Sequence, residues 1–297
     1  MKKLVCAVLS LILCLSCTGA LAARQNVPEV SWDFPVALMD LQSDYVMLVN
    51  ADNLLDKSFK PDPQKKVTGV KRATSAAVYL EETAAEALKL MFEAAALVTE
   101  YEYVTENGKT KTATYDENGM VLYLKSGYRS YGTQATTYAN YLDRNNGVDD
   151  GYVAKPGSSE HQTGLCADIL NADYAGRPTM TQDFKWTAEA QWMKEFCADF
   201  GFILRYTEEA EALTGIKFEP WHFRYVGQNV AEYIMAKGIT LEEFTAAKDA
   251  AIEDFLSRGG DVYEQIAYEI AKANKPPESY VLDEYGEDGD AEVSLLF

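Results

Sequence analysis

An α+β fold is predicted for this chain of 297 residues, and three observations predict it. Apolar positions recur at helical spacing in several separate stretches, strand-like runs sit beside Asn-Gly turn signals, and three helical patterns follow one another after Gly227. Hydrophobic residues make up 47% of the chain and aromatics 12%, so a substantial core is available. That composition is globular, not disordered.

The elements can be justified in order. Lys2 and Lys3 precede an apolar run from Leu4 to Leu15, and Ala20-Leu21-Ala22 follows as a small-residue cleavage site. This is the pattern of a secretory signal peptide over residues 1–22, cut after Ala22. The run is too short for a comfortable membrane span, which takes about 20 residues. An uncleaved anchor is the competing reading. No later stretch is apolar enough to cross a bilayer, so the mature chain is expected to be exported with no membrane span. Cleavage takes the formal net charge from −19 to −21. Such acidity excludes nucleic acid as a partner, because that binding is driven by neutralising phosphates. Otherwise the charge reads simply as solubility.

Residues 23–78 read as an extended N-terminal arm with short apolar stretches such as Tyr45-Val46-Met47-Leu48-Val49, interrupted by Pro61 and Pro63. Residues 81–98 are predicted helical. Tyr101–Thr105 and Lys109–Tyr115 flank Asn107-Gly108, a hairpin signal, and a second Asn-Gly leads into a strand over Met120–Leu124. Residues 133–143 read as helix, and 145–157, with three glycines, a proline and two adjacent aspartates, as loop. A strand near 165–170, a helix over 187–200 and strands over 202–206 and 221–226 come next. Helices near 228–237, 241–257 and 261–273 end at Pro276-Pro277, and an acidic tail follows. The chain therefore divides into the arm, a central domain over 79–240 and a helical appendage with its tail over 241–297.

Only two histidines are present, His161 and His222. A catalytic zinc site takes three protein ligands and keeps one position open, so the third ligand must be a carboxylate or a thiolate. Asp168 is a candidate, since a strand there puts Cys166, Asp168 and Leu170 on one face and turns Ala167 and Ile169 into the core. Glu219 precedes His222 by three residues. An ideal strand would point the two apart, but a turn at Pro220 could bring both to one site. A carboxylate beside an acidified water could then take its proton. Each histidine alone could equally be structural.

The segments Ser159-Glu160-His161-Gln162-Thr163-Gly164-Leu165-Cys166-Ala167-Asp168 and Glu219-Pro220-Trp221-His222 resemble the VanY-type D-alanyl-D-alanine carboxypeptidases, zinc peptidases acting on cell-wall peptides. The pattern is S-x-H-x-x-G-x-A-x-D followed by E-x-W-H. Ser126-Gly127-Tyr128-Arg129-Ser130, Gln134 and Gly201–Tyr206 extend the likeness over roughly residues 120–240, with a weaker echo around Leu48–Asp56. The resemblance implies a small antiparallel sheet with helices packed on one side. It implies one zinc ion held by His161, Asp168 and His222, and Glu219 as general base. Arg129 would stabilise the oxyanion or hold the terminal carboxylate of a peptidoglycan stem peptide. Gln134, Ser159 and Trp221 would contact the peptide. The expected activity is removal of a terminal D-alanine outside the cell or at its wall, with an L,D-carboxypeptidase or a catalytically silent wall-binding module as alternatives. Arg205 and Arg224 are expected to be structural partners of acids. Cys166 departs from the pattern, which has Ala there. It could pair with Cys197, remain a buried thiol, or compete as a ligand.

Overall fold

The computed structural model describes residues 27–274, so the predicted signal peptide and the acidic tail lie outside the described residues. The segment read as an extended arm holds short regular pieces: a one-turn helix, Leu38–Leu41 (α1), a 3-10 turn at Asp44–Val46, and strand Gln64–Lys66 (β1). β1 pairs antiparallel with Tyr79–Glu81 (β2). Strands of three residues give too short a pattern to read against noise. The predicted helix 81–98 is Glu82–Ala95 (α2), begun by the Glu81 side chain accepting from the Ala84 N–H. The hairpin forms as Glu100–Val104 (β3) and Thr110–Thr114 (β4).

The strand expected from Met120 starts later, at Tyr123–Ser126 (β5). The Met120 N–H donates to the carbonyls of Ala95 and Val98, which ties it to the end of α2 before cross-strand pairing can begin. Tyr131–Arg144 (α3) follows, capped by Ser130. After the 145–159 loop come a 3-10 turn, Glu160–Thr163, and strand Cys166–Leu170 (β6). Ala172–Ala175 (α4) leads to Ala188–Phe196 (α5), whose predicted continuation to 200 tightens into a 3-10 turn, Cys197–Phe200. Strand Phe202–Leu204 (β7), helix Glu211–Thr214 (α6) and strand His222–Tyr225 (β8) complete the central part. Helices Gln228–Lys237 (α7), Leu241–Ser257 (α8) and Val262–Ala273 (α9) close the described chain, α8 opening with a capping box between Thr240 and Glu243.

The principal sheet is four-stranded and antiparallel, in the order β5-β6-β8-β7. Its alternation decides where chemistry can sit. Ala167, Ile169, Phe202, Leu204, Phe223 and Tyr225 turn to one face and pack against Leu88, Met91 and Phe92 of α2 and Trp192 and Met193 of α5. Each such large side chain contributes about 1.5–3 kcal/mol on burial. The other face carries Cys166, Asp168, His222 and Arg224. Beside β7, Ile203 and Val226 enter a second core built from α7, α8 and the N-terminal residues Val36, Leu38, Leu41 and Val46. The backbone N–H groups of Leu38 and Met39 also donate to the Glu269 carboxylate of α9.

Candidate metal centre

The register of β6 and β8 sets Asp168 directly opposite His222 and Cys166 opposite Arg224. His161 arrives from the turn before β6. That turn must reverse sharply within three residues, and Gly164 permits it with φ 72°. A Cβ there would lie 2.8 Å from Pro61 Cγ and 2.9 Å from the Glu81 nitrogen, so the glycine of H-x-x-G is required twice over. Glu219 comes from the turn before β8, where the His222 N–H donates to the Glu219 carbonyl at 3.1 Å. The turn expected at Pro220 thus brings residues three apart to one side.

The four side chains converge. His161 Nε2 is 3.4 Å from Asp168 Oδ2, His222 Nδ1 is 3.0 Å from Asp168 Oδ1, and Glu219 Oε2 is 3.6 Å from His222 Nδ1. Tetrahedral zinc with ligands at 2.0–2.1 Å spaces its donor atoms about 3.3–3.4 Å apart, near the two histidine–Asp168 separations, which are made to different oxygens of that carboxylate. The outer nitrogens fit as well. His161 Nδ1 donates to the Gly127 carbonyl at 2.6 Å, which leaves Nε2 with its lone pair facing inward. Gly127 can offer that carbonyl because it lacks a side chain: a Cβ would sit 2.6 Å from the Tyr79 carbonyl oxygen. His222 Nε2 faces Glu160 Oε2 at 3.6 Å. The donor set therefore fits a divalent cation.

Cys166 offers a second set. Its Sγ and one nitrogen from each of His161 and His222 lie within 4.8 Å of one another. Cys166 and Cys197 are both buried free thiols, so of the alternatives left open for Cys166 the disulfide is not formed. Burial pushes the Cys197 thiol up to about 12. At Cys166 burial acts the same way, but the two imidazoles outweigh it and bring the thiol down to about 7.

The cluster is an acidic trap around two imidazoles. Burial and Arg129 oppose the charged form of His161, yet Cys166 and Asp168 overcome them and raise it to about 9. His222 is likewise raised well above the usual imidazole range, against its burial, through Cys166, Asp168 and Glu160. Asp168 is held well below the usual carboxylate range by the two histidines despite its burial. Glu219 behaves oppositely: burial, with the Asp168 charge, pushes it up to about 7, against the pull of His222, His161 and Arg129.

A cavity of about 200 Å³ opens on this cluster, lined by Arg129, Ser159, Trp221, Tyr206 and Met180 and by Tyr152–Ala154 of the 145–159 loop. Arg129 is tied at its backbone, where its N–H donates to the His161 carbonyl at 3.0 Å, while its buried Nε has no partner. Gln134 does not line the cavity. It is fully buried, and its Nε2 donates to the Ala154 carbonyl at 2.6 Å, so it holds the loop instead of facing the site. The same loop is pinned by Tyr141 donating to Asp150 at 2.5 Å. Arg205 and Arg224 pair with acids, as expected, but deep inside: both bind Glu160, at 2.8 and 2.9 Å. Glu160 and Tyr206 were not singled out from sequence. Tyr206, with its ring centroid 5.0 Å from that of His222, is one of many tyrosines and carries no local signal. The position of Glu160 beside His161 was the available clue to it.

Comparison with known proteins places the chain among cell-wall carboxypeptidases by similarity. The family described as VanY, D-alanyl-D-alanine carboxypeptidase, matches residues 101–228. A D-alanyl-D-alanine carboxypeptidase of Enterococcus faecalis (strain ATCC 700802 / V583) is 30% identical over 207 residues, 69% of this chain and 67% of that protein. YodJ of Bacillus subtilis (strain 168) is 35% identical over 167 residues, 56% of this chain and 53% of its own, so the chain spans about half of that relative's length. Among solved structures, the LdcB LD-carboxypeptidase superposes with a TM-score of 0.56 at 31% identity, covering 68% of this chain and 86% of that one. The chain belongs to the VanY D-alanyl-D-alanine carboxypeptidase family.

Proposed function

We propose that this protein is an exported, zinc-dependent carboxypeptidase that removes the terminal D-alanine from D-Ala-D-Ala stem peptides of peptidoglycan. One observation carries the reading: both histidines of the chain and Asp168 meet at ligand spacing with Glu219 beside them. His161 Nε2, Asp168 and His222 Nδ1 would hold the ion. Zinc in that position would polarise the scissile carbonyl and acidify the attacking water.

The remaining work belongs to the chain's own groups. Glu219, with its carboxyl raised to about 7, takes a proton from the attacking water and returns it to the leaving amine. Arg129 keeps an unmet buried donor in the cavity wall and suits the free carboxylate of the departing residue. Ser159 and Trp221 line the space for the peptide. Gln134 supports this wall from behind by fixing Ala154.

A second reading, L,D-carboxypeptidase action on tetrapeptide stems, is favoured by the likeness to LdcB. Incubating the zinc-loaded mature chain with pentapeptide and tetrapeptide stems and weighing the products separates the two. Loss of one D-alanine from the pentapeptide alone is expected. Trimming of the tetrapeptide alone would select the second reading, and bound zinc with no turnover on either stem would reduce the protein to a wall-binding module.

A further inference from the structure

Behind the metal ligands lies a buried ionic cluster that the proposed reaction does not use. Glu160 is 1% exposed and precedes His161. Its Oε1 accepts from Arg205 Nε at 2.8 Å and from Arg224 Nη1 at 2.9 Å. Its Oε2 is buried without a hydrogen-bond partner, and so is His222 Nε2; these two atoms face each other at 3.6 Å. A buried donor and a buried acceptor left unmet each carry an uncompensated desolvation cost. Closing a few tenths of an ångström satisfies both. That closure fixes which imidazole nitrogen is left for the metal.

The arginines are anchored away from the site. Arg205 is bidentate to Glu242 of α8, at 2.8 and 2.7 Å. Arg224 Nη2 donates to the backbone carbonyls of Tyr45 and Met47, at 3.0 and 2.8 Å. A lone buried carboxylate would be expelled or neutralised, so the two guanidinium groups are what let Glu160 stay charged beneath His222.

We propose that Glu160 is the positioning residue of the metal centre: its Oε2 accepts the Nε2–H of His222 and aims Nδ1 at the ion, while Arg205 and Arg224 brace it against α8 and the N-terminal segment. The proposal rests on His222 being a zinc ligand through Nδ1. It makes α8 and residues 45–47 parts of the site, although neither touches the cavity.

The test uses the full mature chain, with zinc affinity from chelator competition and the imidazole N–H resonances of the zinc-loaded protein as readouts. Glu160→Gln should weaken zinc about 10–100-fold. The far-downfield Nε2–H resonance of His222 in the parent should move upfield. Because Glu160→Gln leaves two buried arginines short of charge and could fail to fold, Glu242→Gln is the second variant. Its side chain is partly exposed, and it should weaken zinc in the same direction by a smaller factor, whereas Glu253→Gln on the exposed side of the same helix should not. Unchanged zinc affinity in folded Glu242→Gln, or an unmoved His222 resonance in folded Glu160→Gln, overturns the positioning role. A parent chain that binds no zinc overturns the metal reading itself.

Discussion

In the proposed reaction Glu219 has to be a carboxylate to accept a proton and a carboxylic acid to give it back, and burial with the Asp168 charge raises its carboxyl to about 7. Its side chain is 14% exposed, enclosed against Asp168 and His222. Glu219→Gln keeps the shape and removes the base, so the variant should retain stoichiometric zinc while kcat falls about 10²–10⁴-fold. Metal analysis beside a stem-peptide assay checks this. The same carboxyl also affects stability. Raised from 4.5 to about 7 by burial and Asp168, it disfavours the ionised form in the fold. The resulting penalty is absent below the ordinary glutamate range and complete above about 7. With metal chelated, Glu219→Gln should therefore be more stable than the parent at about pH 8, by up to about 3 kcal/mol, and equal to it near pH 4. Denaturant titrations at the two pH values measure the difference. Cys166→Ala tests the rival ligand set: zinc content should be unchanged, and loss of metal would promote the thiol. At this scale the two histidines stand out because the chain has no others, whereas the spacings to Asp168 and Glu219 are weak signals alone and gain weight from the resemblance to the VanY pattern. Glu160 was not legible, since its role depends on arginines 45 and 64 positions away.

Between residue and fold, the turn Glu160–Thr163 with Gly164 is the element on which the centre depends, because it must deliver His161 and then feed β6 in register. Gly164→Ala meets both a left-handed φ of 72° and the backbone of β2. It should destabilise the protein by about 1–3 kcal/mol from strain alone and impair zinc retention, seen as a lower denaturation midpoint and a lower metal content. Elements of ten residues or more were readable from periodicity: α7, α8 and α9 fall where the apolar spacing puts them. β1 and β2 were hidden, being three residues each with no alternation long enough to register. The 3-10 turns were hidden too, because their hydrogen bonds depend on what packs against them.

The whole molecule is held by two cores joined at β7, whose Phe202 and Leu204 belong to one and Ile203 to the other. The second core unites sequence extremes, bringing Leu38 and Leu41 against helices that begin 200 residues later. Phe255, fully buried, is central to it and lies in T-shaped contact with Trp32 at 5.4 Å. Phe255→Ala should cost about 3–5 kcal/mol and lower the Tm by roughly 6–20 °C. A scan by differential calorimetry reads this, and a change of under two degrees would mean that the helices beyond 240 are dispensable to the fold. The joint packing of the two ends had no sequence signature. Apolar residues mark what is buried, not which distant stretch buries it.

The 145–159 loop meets the cavity with Tyr152, Val153 and Ala154, but hangs from α3 through Gln134 and Tyr141 and supplies no proposed metal ligand. On the proposed reading, part of the peptide-facing wall thus sits on a stretch of chain that carries none of the proposed ligands or the base. Relatives could drift toward new wall chemistries by rewriting this one stretch, and a grafted loop should retune preference while the catalytic apparatus is inherited intact.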